Sequence, residues 1–199
     1  MIRLYYADIS ELDDTRPRPE LSSYRREKLE KLQNRTLRQQ ETGAELLLIQ
    51  AVRDLIPEAP LPLRIGTERN GKPFLQDLPY FFSLSHSGTL AACTIADRAI
   101  GLDVQIRRQV TPAFIKRCFT EEEQLYLEGS ESPVEAFTML WTRKESLLKM
   151  TGEGLARSLN SFSVLEDNRF WNMVLGEYCF CIYTESGERP DQVQRKKLL

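Results

Sequence analysis

The chain has 199 residues, 41% of them hydrophobic and 28% charged, with a formal net charge of -2, which allows one large domain or two small ones and gives no global basic excess for nucleic acid. The four cysteines show no Cys-x-x-Cys spacing and the single histidine, His86, excludes a multi-histidine metal site. No apolar run approaches the roughly 20 residues that span a bilayer and Met1 to Asp8 lacks a signal-peptide core, so the chain reads as cytoplasmic, with neither membrane nor nucleic acid as partner.

Ile2 to Ala7, rich in β-branched and aromatic residues, predicts a strand. Arg16-Pro17-Arg18-Pro19 interrupts regular structure, and from about Ser22 a helix runs through Tyr24, Leu29 and Leu32. Ala44, Leu47, Leu48, Ala51, Val52 and Leu55 make the apolar stripe of a second helix, ended by Pro57, Pro60 and Pro62. Arg25, Arg26, Lys28, Lys31, Arg35 and Arg38 form a basic stretch, diluted by Glu27, Glu30 and Glu41; it is either a solvated face or a surface for an anionic substrate or acidic partner. Short strands follow at Leu63 to Gly66, Phe81 to Ser85, Leu90 to Ala96 and Ala99 to Val104, with a turn at Asn70-Gly71-Lys72-Pro73.

Helices are then predicted over Pro112 to Cys118, Glu121 to Leu127 and Pro133 to Met150, the middle one opened by a Thr120/Glu123 capping box. Thr151-Gly152-Glu153-Gly154 stops the long helix, and strands at Ser161 to Leu165 and Tyr178 to Tyr183 close the fold. Cys179 and Cys181 share one strand face, where free cysteines act as small hydrophobes. The last dozen residues, to Leu199, read as a frayed tail. Both halves run strand, long helix, strands. The expected fold is therefore α+β: two similar α/β halves, 1–97 and 98–199, imitating a dimer, each a small sheet packed by a long helix, with an active site in the cleft between them.

Trp141, Glu145, Leu148 and Lys149 recur at three- and four-residue intervals and share a helix face. Glu145 and Lys149 are either a solvated i,i+4 pair, or a carboxylate at the edge of buried ground that needs a metal or lysine as partner. Asp103 follows Ala99-Ile100-Gly101-Leu102, an apolar strand whose glycine lets backbone approach closely; it is a turn former or a second metal ligand. Two carboxylates suffice for magnesium, which fills its other positions with water and phosphate. In Phe82-Ser83-Leu84-Ser85-His86-Ser87-Gly88 the histidine ends an apolar row, as a satisfied core residue or a phosphate contact. Arg69 and Lys72 add two cations around a tight turn.

In this order, Gly71-Lys72-Pro73, Phe82 to Gly88, Gly101-Leu102-Asp103-Val104 and Trp141-Thr142-Arg143-Lys144-Glu145-Ser146-Leu147-Leu148-Lys149 resemble the 4'-phosphopantetheinyl transferase superfamily, of the two-halved type that activates carrier proteins of peptide and polyketide synthesis. The resemblance covers roughly Asn70 to Leu155. It implies transfer of 4'-phosphopantetheine from coenzyme A to a serine of an acyl or peptidyl carrier protein by a monomer, releasing adenosine 3',5'-bisphosphate. It further implies Asp103 and Glu145 as Mg2+ ligands, Glu145 also as base, and Lys149 on the diphosphate as a catalytic residue. Lys144 would touch the pantetheine side, Ser85 and His86 the nucleotide, and Lys72 and Pro73, with Arg69, the adenine and ribose phosphate. An acidic carrier helix would dock on the stretch Arg25 to Arg38, or on Arg107, Arg108, Lys116 and Arg117.

Two positions depart from the family pattern. Gln105 stands where many members carry a third acid, and Gln39 or Gln40 stands where an N-terminal-helix arginine helps hold coenzyme A. The rival reading is a non-catalytic carrier-protein or coenzyme A binding module with a degenerate metal site.

Overall fold

The computed structural model describes residues 1–198, Leu155 by its backbone only. The first strand, β1 (Ile2–Asp8), leads into helices α1 (Ser23–Glu30) and α2 (Arg35–Arg53). The Asn34 side chain accepts from Leu37 N and opens α2, whose stripe Leu47, Leu48, Ala51 and Val52 is completely buried. Four strands follow: β2 (Ile65–Thr67), β3 (Pro73–Leu75), β4 (Phe81–Ser87) and β5 (Leu90–Ala96). The second half runs β6 (Gly101–Ile106), α3 (Pro112–Cys118), α4 (Glu121–Glu128), α5 (Pro133–Thr151), β7 (Phe170–Leu175), β8 (Tyr178–Tyr183) and β9 (Gln192–Arg195). The capping box at Thr120 and Glu123 is formed, and Gly152, with φ +74°, ends α5 in the left-handed conformation that suits a glycine cap.

One sheet has the order β4-β5-β1-β9 and a second β6-β8-β7, while β2 and β3 form a separate hairpin. Helix α2 covers one face of the first sheet and α5 one face of the second. A third apolar cluster, with Ile2, Leu4, Ala92, Leu102, Val104, Phe180 and Ile182, lies between the two sheets. Each Ile, Leu, Val or Phe side chain there contributes roughly 1.5–3 kcal/mol by leaving water. The expected α+β class is borne out.

The sheets meet at β4 and β6, and side chains make the seam. Ser83, Ser85 and Ser87, all on one side of β4, accept the main-chain N–H groups of Leu102, Val104 and Ile106 at 3.0, 3.1 and 3.0 Å. These hydroxyls satisfy edge donors that would otherwise be buried without partners. On its other side β6 lies directly under α5. A Cβ added at Gly101 would fall 1.8 Å from the Ser146 carbonyl oxygen and 2.6 Å from Met150 N, so only glycine admits this approach.

Three expectations are corrected. Residues 161–165 form no strand; a 3-10 turn (Leu159–Ser161) and irregular chain occupy the stretch, and strands β3 and β7 were not anticipated. The tail is not frayed up to Leu198: β9 pairs in parallel with β1, and Asp191 accepts Ile2 N at 2.6 Å; Leu199 lies outside the described residues. A boundary at 97/98 therefore leaves one strand of the second half in the first sheet.

Candidate active site

Between the halves lies a cleft of about 440 Å3, lined from both sides. Strand β6 supplies Asp103, β4 supplies Ser85 and His86, and α5 supplies Glu145 and Lys149. Asp103 is 5% exposed, and its two oxygens differ. Oδ1 accepts from Ser85 Oγ at 2.8 Å and from Lys149 Nζ at 2.7 Å, whereas Oδ2 is buried without a hydrogen-bond partner among the described residues. Lys149 Nζ also donates to Ser85 Oγ at 3.0 Å, so one hydroxyl ties both sheets to the helix.

The Glu145 carboxylate makes no hydrogen bond or ion pair among the described residues, so the solvated i,i+4 pair with Lys149 is not formed. Burial first, then the Asp103 charge, raises its carboxyl above the ordinary range, while Lys149 acts the other way. A lone buried carboxylate oxygen beside a second, unpaired carboxylate is a donor set for a hard divalent cation. Among the described residues no group of three or more His, Cys, Asp or Glu has metal-binding geometry, so any such cation rests on these two. Gln105, at the third position, also lines the cleft, and its amide donates to Ser87 Oγ and the Ile106 carbonyl, each at 3.1 Å.

Lys72, from the turn before β3, and Pro73, the first residue of β3, reach the cleft, and Lys72 Nζ donates to the Met150 carbonyl at 2.6 Å near the end of α5. Arg69 is not brought into the lining; the tight turn at Asn70-Gly71 leaves it exposed. Lys144 is not there either. It is completely buried on α5, with Nζ 2.8 Å from Glu123 Oε2 and donating to the Leu159 and Phe162 carbonyls at 2.7 and 2.5 Å. One residue along a helix turns a side chain by about 100°, which takes Lys144 off the Glu145 face.

The N-terminal wall carries ion pairs that no motif announces. Arg25 and Lys28 of α1 line the cleft and pair with Glu41, which His86 Nε2 also meets at 3.4 Å. Glu45, completely buried, accepts from Arg25 Nε at 3.0 Å and Ser22 N at 2.6 Å. A signal existed: Glu41 and Glu45 sit beside the apolar stripe of α2, and buried carboxylates require cationic partners. Arg25 is thus not available to a docking protein, and Arg38 is engaged by Asp14 and the Leu29 carbonyl. Gln39 and Gln40 donate to the Leu12 and Gly88 carbonyls at 2.7 and 2.9 Å, a structural use.

His86 is held neutral. Burial, then the charges of Lys149, Lys28 and Arg25, lowers its pKa to about 4. A carboxylate only accepts, so Nε2 carries the proton shared with Glu41. The unfolded chain takes up this proton near pH 6.5 and the folded one near 4, so the stabilisation is complete above 6.5 and lost as pH falls through that window. The unfolding free energy of the wild type, read from urea titrations, should fall relative to that of His86→Asn between pH 6.5 and 4, by at most about 1.4 kcal/mol per pH unit. Parallel pH profiles would refute the assignment.

Residues 99–189, which carry Asp103, Glu145 and Lys149, match the 4'-phosphopantetheinyl transferase superfamily, and the resemblance read from the motifs is borne out. Among curated relatives, the chain is 36% identical over 105 residues to 4'-phosphopantetheinyl transferase Sfp of Bacillus subtilis (strain 168), covering 51% of this chain and 47% of the relative. It is 35% identical over 100 residues to 4'-phosphopantetheinyl transferase psf-1 of Bacillus pumilus, covering 49% and 43%. To 4'-phosphopantetheinyl transferase HetI of Nostoc sp. (strain PCC 7120 / SAG 25.82 / UTEX 2576) it is 35% identical over 107 residues, covering 49% and 45%. These matches span about half the length of the relatives. The four cysteines are free and buried, and among the described residues no helix is long and apolar enough to cross a membrane.

Proposed function

We propose that the protein transfers 4'-phosphopantetheine from coenzyme A to a serine hydroxyl of an acyl or peptidyl carrier protein, with Mg2+ bound by Asp103 and Glu145. The convergence of Asp103, Glu145 and Lys149 in one cleft, with an unpartnered carboxylate oxygen between the halves, carries this reading. When bound, Mg2+ would neutralise diphosphate charge. The serine oxygen attacks the phosphorus that bears pantetheine, the bridging P–O bond breaks, and adenosine 3',5'-bisphosphate leaves. Glu145, with its raised proton affinity, takes the serine proton. Lys149 meets the charge that develops on the leaving phosphate.

Lys28 and Lys72 supply positive charge on the cleft walls for the nucleotide phosphates, and Pro73 a rigid apolar edge for the adenine. Neutral His86 donates a hydrogen bond rather than a charge. Ser85 positions Asp103 and Lys149. Two α/β halves, divided near residues 97 and 98 with β9 returning to the first sheet, imitate a dimer within a monomer, and the free cysteines suit a reducing cytoplasm.

Intact-mass analysis of apo carrier proteins incubated with the protein, coenzyme A and Mg2+ tests the reading. One phosphopantetheine should be gained, EDTA should abolish the gain, and Glu145→Gln should slow it by about 10²–10⁴-fold. Bound coenzyme A with no gain on any carrier would make this a binding module instead.

A further inference from the structure

Lys149 is spaced for an ion pair with Glu145 along α5, yet its ammonium lies 2.7 Å from Asp103 Oδ1 on β6. Ser85 Oγ supports both partners, donating to Asp103 at 2.8 Å and accepting from Lys149 at 3.0 Å. The result is a carboxylate with two donors on one oxygen and none on the other, beside a Glu145 that has no partner among the described residues. The positive charge that Asp103 requires in a buried place is thus supplied by the lysine.

We propose that Lys149 is a stand-in cation, which neutralises Asp103 until a divalent ion is taken up by Asp103 and Glu145 and drives the ammonium off. The two cations claim the same carboxylate and repel each other at this separation. Metal alone therefore binds weakly. An anion that receives the displaced ammonium removes the conflict, so metal and anion strengthen each other's binding. Only the identity of that anion, a diphosphate, rests on the transferase reading. Lys149 then has two successive posts: Asp103 in the resting protein, and the phosphate once the metal is in place. Helix α5 need not move for this, since a lysine side chain has rotatable bonds enough to change partner.

Mn2+ titrated into the whole protein without substrate, with the free ion followed by electron paramagnetic resonance, tests the proposal. Lys149→Met and Lys149→Gln should each bind Mn2+ about tenfold more tightly than wild type, and adding Asp103→Asn should abolish the gain. A folded Lys149 variant with equal or weaker Mn2+ affinity would overturn the proposal. The wild type supplies an independent readout. Saturating Mn2+ should speed reductive methylation of Lys149 severalfold, read by peptide mass, and an unchanged rate would equally overturn it. Failure of the transferase reading would appear elsewhere, as absence of mass gain on carrier proteins.

Discussion

Gly101→Ala is expected to lower the unfolding midpoint and carrier-protein modification together. The added methyl would meet the Ser146 carbonyl oxygen at 1.8 Å and Met150 N at 2.6 Å, both backbone atoms of a nineteen-residue helix that cannot yield locally. Helix α5 must retreat from β6 by more than 1 Å, the distance short of ordinary contact. Overpacking of this kind costs typically 1–3 kcal/mol, and the rigidity of both partners places it at about 3 kcal/mol. The same retreat separates Asp103 on β6 from Glu145 and Lys149 on α5. A misplacement of about 1 Å in reacting groups costs on the order of 10²-fold in rate. Urea unfolding and the initial rate of carrier mass gain are the measurements. A variant with wild-type values of both would show that α5 does not rest on β6 as described.

The second large effect belongs to Lys144→Met. The ammonium is completely buried, bonded to Glu123 and two carbonyls, and lies 4.4 Å from the centre of the Phe162 ring. Burial pulls its proton affinity below the ordinary lysine range, while Glu123 acts in the opposite sense. Removing it leaves the Glu123 carboxylate buried with only the Thr120 and Val164 N–H groups. Loss of one partner from a buried pair costs about 3–5 kcal/mol. Lys144→Met combined with Glu123→Gln should recover at least about 1 kcal/mol, because no uncompensated charge remains. Additive losses in that cycle, or a single-variant cost below about 1 kcal/mol, would contradict this account.

Local signals carried the sequence reading furthest. Thr120 and Glu123 announce α4 by their own spacing, and β5 reads as a short, nearly continuous apolar run that is buried at every position. Asp103, Ser85, His86, Glu145 and Lys149 were all recognisable, and all line one cleft. What escaped depends on distant partners. β9 has the polar sequence Gln192-Val193-Gln194-Arg195, and only parallel pairing with β1 makes it a strand. Residues 161–165 look strand-like because Phe162, Val164 and Leu165 are apolar, but Lys144 and Glu123 take their backbone groups instead. Lys144 was misread by motif and legible by geometry. It falls in line with Leu140 and Leu147, so a helical wheel places it among buried residues, where a lysine needs a carboxylate.

The serine seam makes assembly of the two sheets and competence of the cleft a single event. Because its hydroxyls recur every second residue, sliding β4 by two positions would still give two of the three amide contacts. Such a slipped chain would keep two of the three seam contacts, yet Ser85 would no longer face Val104 or steady Asp103 and Lys149. Misregistered molecules would thus pass a spectroscopic check of secondary structure while being catalytically silent. On the transferase reading, specific activity, rather than helix or sheet content, becomes the measure of folding fidelity for this protein.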